Sequence, residues 1–141
     1  MAETVFWDTA AFVALGNARD EHHDEAMQIR EALGKQKAHL LTTSAVLIEV
    51  ANTFSKAPWR AVARQLIEAT RQSAAAELAT IVHVEPSLWQ RGWALFLTRP
   101  DKDWALTDCI SFIVMQDLGV PRAFTSDHHF EQAGFKRLMQ G

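Results

Sequence analysis

The feature that most constrains this chain is a regular alternation of short apolar runs with longer segments of helical periodicity. Four short runs rich in strand-forming residues occupy residues 4–7, 39–42, 81–84 and 120–125. Segments in which apolar residues recur every three or four positions indicate helices. They cover residues 20–33, 44–54, 59–78, 86–98 and 106–118, and a short helix begins at residue 128. This order predicts a three-layer α/β fold, in which helices cover both faces of a parallel sheet.

Local signals mark several ends of these helices. Thr43 or Ser44 is placed to cap the helix that follows the second strand. Pro58 lies where a first-turn proline is tolerated. Gly34 and Gly119 are predicted to end the helices before them, because glycine readily adopts the left-handed conformation at a helix terminus.

Length and composition limit the class of protein. A chain of 141 residues with 48% hydrophobic residues is expected to form one domain, residues 1–141, with a real core. A formal charge of −3 argues against a broadly basic nucleic-acid coat. A single cysteine, no basic and apolar leader and no apolar stretch of about 18 residues predict a soluble, cytoplasmic protein without a membrane span.

Four acidic residues stand where chemistry gathers in α/β folds. Asp8 follows the first strand and Asp127 follows the fourth, and strand carboxyl ends meet at one edge of a sheet. Glu49 and Asp108 lie in otherwise apolar helices, where a charge is costly unless an arginine or a divalent metal balances it. Taken singly, each acid also has a structural explanation, such as a turn, a helix cap or a dipole interaction, with Glu49 the least easily explained.

A cluster of oxygen ligands suits Mg²⁺ or Mn²⁺ better than zinc. Two such ions about 4 Å apart hold a phosphodiester, generate hydroxide from bound water and stabilise the leaving oxygen. Hydrolysis of that kind needs no nucleophilic side chain, although one carboxylate can accept the proton of the attacking water.

Four segments in order resemble the motifs of the PIN-domain ribonucleases, and among them the VapC-type toxins of bacterial toxin–antitoxin pairs. They are VFWDT at 5–9, TSAVLIE at 43–49, DWALTDC at 103–109 and FTSDHHF at 124–130, followed by the tail FEQAGF at 130–135. The resemblance covers essentially the whole chain. It implies a parallel sheet of four or five strands, a Mg²⁺-dependent endoribonuclease, a cognate antitoxin and a homodimer.

The resemblance also implies roles for particular residues. Asp8 and Asp108 correspond to the principal Mg²⁺ ligands, Glu49 to a third acid and Asp127 to a fourth. Three more residues match supporting positions of the family, namely Asp103, Thr9 and Thr125. Ala105 departs from the serine or threonine common there, which removes the usual hydroxyl cap of that helix.

RNA binding requires cations near such an acidic site. Lys56, Arg60, Arg64 and Arg71 follow at steps of 4, 4 and 7 along one predicted helix face. Arg99 and Lys102 precede the segment of Asp108. These residues are candidates for a stripe of phosphate contacts beside the acids. A charge row on an amphipathic helix is more often its solvated face, and binding of a partner is another use of this helix.

Two further patterns favour a structural interpretation. The pairs His22-His23 and His128-His129 suit surface or helix-start positions better than one metal site, because adjacent helical side chains diverge by about 100°. Trp89 and Trp93 are predicted to pack rather than to stack on bases.

The leading hypothesis is therefore a Mg²⁺-dependent endoribonuclease that leaves 5′-phosphate and 3′-hydroxyl ends, with Mn²⁺ as a possible substitute. The alternative is a PIN-like module that binds protein or RNA and cleaves little. A metal-dependent phosphatase would require a second acid directly after Asp8, where the chain has Thr9 and Ala10.

Overall fold

The computed structural model describes residues 2–141, which fold around five strands. The strands are β1 (Thr4–Trp7), β2 (His39–Thr43), β3 (Ala79–Val82), β4 (Arg122–Phe124) and β5 (Lys136–Arg137). The helices are α1 (Thr9–Gly16), α2 (His23–Lys35), α3 (Ser44–Thr53), α4 (Arg60–Ala75), α5 (Pro86–Thr98), α6 (Leu106–Leu118) and α7 (His129–Gln132). A 3₁₀ turn, Ala57–Trp59, precedes α4. None of these helices is both long and apolar enough to cross a membrane.

The sheet is wholly parallel, in the order β3-β2-β1-β4-β5. Its central strand pairs with β2 on one side, where Val5 faces Leu40, and with β4 on the other, where Phe6 faces Ala123. The chain thus adds β2 and β3 on one side of β1, and later adds β4 and β5 on the other side. Such a reversal of strand order opens a crevice at the carboxyl ends of the strands.

The alternation of side chains along β1 and β4 builds two apolar clusters on opposite faces of the sheet. Phe6 and Ala123 join the cluster that contains buried residues of α3 and α6. Val5 and Phe124 join the cluster that contains buried residues of α1 and α2. The predicted three-layer α/β architecture is confirmed, and the sheet has five strands.

Most differences from the sequence prediction concern short or atypical elements. The prediction missed α1, because its sequence TAAFVALG is apolar almost throughout and has no helical periodicity. It also missed β5, which has only two residues, both charged. The third strand begins at Ala79, two residues before the predicted start, and α2 begins at His23 after a turn.

The predicted helix ends are partly confirmed. Thr43 Oγ1 accepts a hydrogen bond of 3.2 Å from the backbone N–H of Val46, which caps α3. Gly119 has a φ of +66° at the end of α6, as predicted. The prediction for Gly34 is wrong, because this residue lies inside α2 and the left-handed conformation falls at Lys37, with a φ of +55°.

Candidate active site

One cleft at the carboxyl ends of the strands contains all the acids singled out from the sequence. Its volume is about 540 Å³. Its lining includes Asp8, Glu49, Asp103, Asp108 and Asp127. Three of the four principal acids are positioned by neighbouring strands: one follows β1, one lies in the helix after β2, and one follows β4. The fourth comes from the first turn of α6.

Asp8 is the most deeply buried of these acids, with 4% of its surface exposed. Thr125 Oγ1 donates a hydrogen bond of 2.8 Å to Asp8 Oδ2. Burial is the main cause that raises the pKa of Asp8 to about 7, and the charges of Asp108 and Asp127 add to it. The hydrogen bond from Thr125 acts in the opposite direction.

Asp108 combines a structural contact with a place in the cleft. The backbone N–H of Ala105 donates a hydrogen bond of 3.1 Å to Asp108 Oδ2 at the start of α6. Since Ala105 has no hydroxyl, only this half of a capping box is possible. Burial, and then the charge of Asp127, raise the pKa of Asp108, whereas the Ala105 N–H and His129 lower it.

Glu49 is half-buried on α3 and contacts the hydroxyl of Thr9. Thr9 Oγ1 donates a hydrogen bond of 2.7 Å to Glu49 Oε1. The buried residues of α3, Val46 and Val50, pack into the core. The carboxylate is thus held by the first residue of α1, a helix that the sequence prediction did not include.

Asp127 and His129 form a second polar pair at the cleft. Asp127 Oδ1 accepts a hydrogen bond of 2.9 Å from the backbone N–H of His129, so it does support the short helix α7. His129 Nδ1 lies 3.2 Å from Asp127 Oδ1 and 3.3 Å from Asp108 Oδ2. His129 is the first residue of α7, in agreement with the expected helix-start position, but it lines the cleft and its side chain is 19% exposed, against 67% for His128.

The loop between α1 and α2 adds two residues that the sequence prediction missed. Asp20 and His22 line the cleft. Asp20 Oδ1 accepts a hydrogen bond of 2.8 Å from the backbone N–H of His22, which stabilises the turn. His23 points elsewhere and its Nδ1 lies 2.7 Å from the carbonyl oxygen of Ala14. Without knowledge of α1, no sequence signal placed this loop at the site.

The predicted cations do not form one stripe. Lys56 lines a groove next to the acidic cleft. Arg60 Nε donates a hydrogen bond of 2.6 Å to the carbonyl oxygen of Ser55, and Arg64 lines a separate depression on α4. Arg99 forms two hydrogen bonds of 3.0 Å with Asp101.

Three further contacts involve these predicted cations. The guanidinium of Arg99 also lies 5.1 Å from the centre of the Trp104 ring. Arg71 Nη1 lies 3.4 Å from Glu68 Oε1. The backbone N–H of Lys102 donates a hydrogen bond of 3.1 Å to the carbonyl oxygen of Arg99, which closes the turn before Asp103.

The aromatic residues of α5 pack on one another at the surface. The rings of Trp89 and Trp93 are almost parallel, with centroids 6.2 Å apart and an angle of 4°. Trp93 in turn stacks on Phe96, with centroids 5.6 Å apart. Trp89 and Trp93 therefore pack as predicted, but against each other and outside the core.

The donor set of the cleft fits a hard divalent cation. Its acids supply carboxylate oxygens, and burial, followed by repulsion from neighbouring acids, raises the pKa of Asp8 and Asp108. A bound divalent cation favours the ionised form of both groups and offsets this cost. The arrangement has the chemical character of a site for Mg²⁺ or Mn²⁺.

The fold and the cleft together define the class of this protein. It is an α/β domain with a cluster of acids at the point where the strand order reverses. The family model of the PIN domain matches residues 5–136, and the chain belongs to this family.

Among known proteins, the chain is similar to the 23S rRNA-specific endonuclease VapC20 of Mycobacterium tuberculosis, in the strains H37Rv and CDC 1551 / Oshkosh. It is 29% identical to each over 135 residues, which cover 93% of this chain and 95% of the relative. The crystal structure of the same M. tuberculosis protein, described as a Sarcin-Ricin loop cleaving toxin, superposes with a TM-score of 0.81 at 26% identity. That match covers 93% of this chain and 95% of the other. The resemblance to PIN-domain ribonucleases of the VapC toxin class, stated from the sequence, is confirmed.

Proposed function

We propose that this protein is a metal-dependent endoribonuclease and the toxin of a toxin–antitoxin pair. The single observation that carries the proposal is the convergence of Asp8, Glu49, Asp108 and Asp127 on one cleft. A binding module has no need for a cluster of carboxylates, two of which, Asp8 and Asp108, are buried at a cost to stability. Membership of the PIN family and the similarity to an endonuclease toxin support the same function.

Each acid has a part that follows from its contacts. We assign Asp8 and Asp108 as the principal metal ligands, because both are buried in the cleft, where burial and then neighbouring carboxylates raise their pKa and a bound cation would offset that cost. Asp127 and Glu49 complete the set from the two sides of the cleft. When bound, the divalent cation supplies Lewis-acid stabilisation of the phosphodiester and lowers the pKa of water. Mg²⁺ is the preferred ion, with Mn²⁺ as a substitute.

The surrounding hydroxyl groups orient these acids. Thr125 keeps one oxygen of Asp8 in place, and Thr9 does the same for Oε1 of Glu49. Glu49 Oε2 then accepts the proton of the attacking water. Asp103, which is exposed at the rim, orients water there. The products are a 5′-phosphate and a 3′-hydroxyl.

The substrate follows from the similarity to VapC20. That protein is described as specific for 23S rRNA and as cleaving the sarcin–ricin loop. We propose a structured ribosomal RNA loop as the first substrate to test for this chain. A cognate antitoxin is its protein partner, the cytoplasm its location and a homodimer its oligomeric state.

Cleavage of end-labelled RNA by purified, antitoxin-free protein tests the proposal. A mixed RNA pool and 23S rRNA are each incubated with Mg²⁺, with Mn²⁺ or with EDTA, and with Asp8→Asn alongside. Glu31→Gln, on the exposed side of α2, is the matched control for a lost carboxylate. Cuts that require metal and disappear only in Asp8→Asn support the proposal. No cleavage of either RNA by folded protein would favour the binding module.

A further inference from the structure

A second groove adjoins the acidic cleft and shares lining residues with it. It has a volume of about 360 Å³, lies between the end of α1 and residues 52–59, and is called the Trp59 groove below. Val13 and Thr53 line both the groove and the acidic cleft. The groove therefore lies next to the path of a nucleic-acid strand that crosses the carboxylates.

Trp59 provides an aromatic platform in the groove. Its side chain is 38% exposed, and one ring face stacks on Phe54, with centroids 5.5 Å apart and an angle of 22°. The backbone N–H of Trp59 donates a hydrogen bond of 2.8 Å to the carbonyl oxygen of Lys56. The turn that carries the ring is thus held locally.

Close packing holds the ring of Phe54, on which Trp59 stacks, in place. Phe54 is buried in the core, and a Cβ placed on Gly16 would lie 3.1 Å from Phe54 Cζ. The absence of a side chain at Gly16 lets α1 approach this ring closely. Phe54 therefore gives Trp59 a fixed support, and a rigid exposed ring loses little entropy when a base stacks on it.

Polar groups complete the groove. Asn17 and Asn52 line it, and their amides carry donors and acceptors of the kind that pair with the edge of a base. Asn17 Oδ1 also accepts a hydrogen bond of 3.0 Å from the backbone N–H of Arg19. Lys56, which is exposed in the same groove, is a cation for a phosphate. Since the neighbouring cleft is strongly acidic, a cation at its edge is where attraction for the RNA backbone is needed.

We propose that the Trp59 groove binds one unstacked nucleotide of the RNA substrate next to the phosphate that is cut. The base stacks on Trp59, its edge contacts Asn17 or Asn52, and its phosphate contacts Lys56. This proposal rests on the proposed function, since it names how that substrate is held. Stacking on aromatic side chains is how proteins bind single-stranded RNA and splayed bases.

The exposed aromatic residues of α5, Trp89, Trp93 and Phe96, also stack but have different surroundings from the Trp59 groove. Trp93 is 40% exposed and stacks on its neighbours as Trp59 does. The nearest charge on that helix, Arg91, forms hydrogen bonds of 2.6 and 2.9 Å with Asp117. None of these α5 residues lines the acidic cleft, whereas the Trp59 groove shares two lining residues with it, so Trp93 is the matched control.

The first test measures binding of short fluorescein-labelled single-stranded RNA by anisotropy, in an Asp8→Asn background with Mg²⁺ to prevent cleavage. Trp59→Ala is expected to weaken binding by about tenfold or more, because stacking of one base contributes that much. Trp59→Phe, which keeps a ring, should recover most of the loss. Trp93→Ala should change the dissociation constant by less than about twofold, as expected for a ring outside the RNA path.

Two further readouts separate the base contact from the phosphate contact. RNAs that lack a single base are tested at each position in turn. When the missing base is the one that stacks on Trp59, Trp59→Ala should no longer weaken binding, because both changes remove the same interaction. Lys56→Ala should lower the slope of log Kd against log salt by about 0.7, whereas Trp59→Ala should leave it unchanged. Thermal melting of each variant verifies that it folds.

The outcomes also distinguish this proposal from the proposed function. If wild-type protein cleaves RNA and Trp59→Ala binds RNA as tightly as Trp93→Ala, the groove assignment is wrong and the nuclease stands. If wild-type protein binds RNA through Trp59 but never cleaves it, the groove stands and the nuclease fails. Equal losses for Trp59→Phe and Trp59→Ala, or no abasic position that removes the effect, would overturn stacking on this ring.

Discussion

Thr125 Oγ1 donates a hydrogen bond of 2.8 Å to Asp8 Oδ2, across 117 residues of sequence. The two residues follow adjacent strands, β4 and β1, so the bond joins the ends of the two strands at the middle of the sheet. It also opposes the effect of burial on the pKa of Asp8. A small hydroxyl thus tunes the acid that we place at the centre of the metal site.

Removal of that hydroxyl should make Asp8 harder to ionise. Thr125→Val keeps the shape of a β-branched side chain but leaves Asp8 Oδ2 without this donor. We expect cleavage to fall by about 10–100-fold, as for loss of a group that orients a metal ligand. The rise of activity with pH should move to higher pH. Thr125→Ser is the control and should behave like wild type, so equal pH profiles for all three would contradict the role of Thr125.

Substitution of the principal acids should separate activity from stability. Asp8→Asn and Asp108→Asn should each lower cleavage by more than the 10–100-fold expected for a supporting residue, because each removes a proposed ligand. In EDTA both variants should melt at or above the temperature of wild type, because a repelled buried carboxylate is gone. The measurements are gel-based cleavage and thermal melting by circular dichroism. A loss of activity that always accompanies unfolding would remove the support for this assignment.

The pKa of Asp8 predicts how stability depends on pH without metal. Asp8 has a pKa of about 7 in the folded protein and 3.8 as its ordinary value, so the folded state binds more protons between these pH values. Its contribution is present below pH 4 and is lost as pH rises through about 7.

Denaturant unfolding in EDTA at several pH values measures this loss. Asp8→Asn should flatten the decline and be more stable than wild type at pH 8 by roughly 1 kcal/mol or more. Addition of Mg²⁺ should reduce the decline in wild type, since a bound cation favours the ionised acid. Identical pH profiles for wild type and Asp8→Asn would show that Asp8 is not the titrating group.

His129 should matter most when no cation is bound. Its Nδ1 lies within 3.3 Å of oxygens from both Asp108 and Asp127. His129→Ala removes a group that lowers the pKa of Asp108, so in EDTA we expect a loss of about 1 kcal/mol. Saturating Mg²⁺ should reduce the difference. His128→Ala is the comparison variant and should have a smaller effect, because His128 is 67% exposed and its Nδ1 lies farther, at 3.9 Å, from Asp127 Oδ1.

Two helical glycines should respond oppositely to the same substitution. A Cβ on Gly92 of α5 would lie 2.6 Å from Ile110 Cγ1 of α6, whereas a Cβ on Gly34 of α2 would meet nothing within 4 Å. Gly92→Ala should therefore lower the free energy of unfolding by about 1–3 kcal/mol through overpacking. Gly34→Ala should raise it by about 0.5–1 kcal/mol, because alanine favours the helix. Denaturant titration of both variants decides the matter.

The sequence by itself determined the alternation of strands and helices and the four principal acids. It did so because periodicity follows from local geometry, and a carboxylate such as Glu49 among aliphatic residues is visible without a structure. The sequence could not show α1, since a helix buried along most of its surface has no polar face to mark it. With α1 missing, the contact of Thr9 with Glu49 also remained hidden.

Only the tertiary structure decided which of two equivalent neighbours takes part in the site. His129 Nδ1 lies 3.3 Å from Asp108 Oδ2, while the side chain of His128 is 67% exposed and its Nδ1 lies 3.9 Å from Asp127 Oδ1, because adjacent side chains at the start of α7 point in different directions. Likewise, Lys56 lies beside the cleft while Arg64 on the same predicted row does not. Composition and spacing establish which residue types are available, but the distance between them depends on how helices far apart in sequence pack on the central strand.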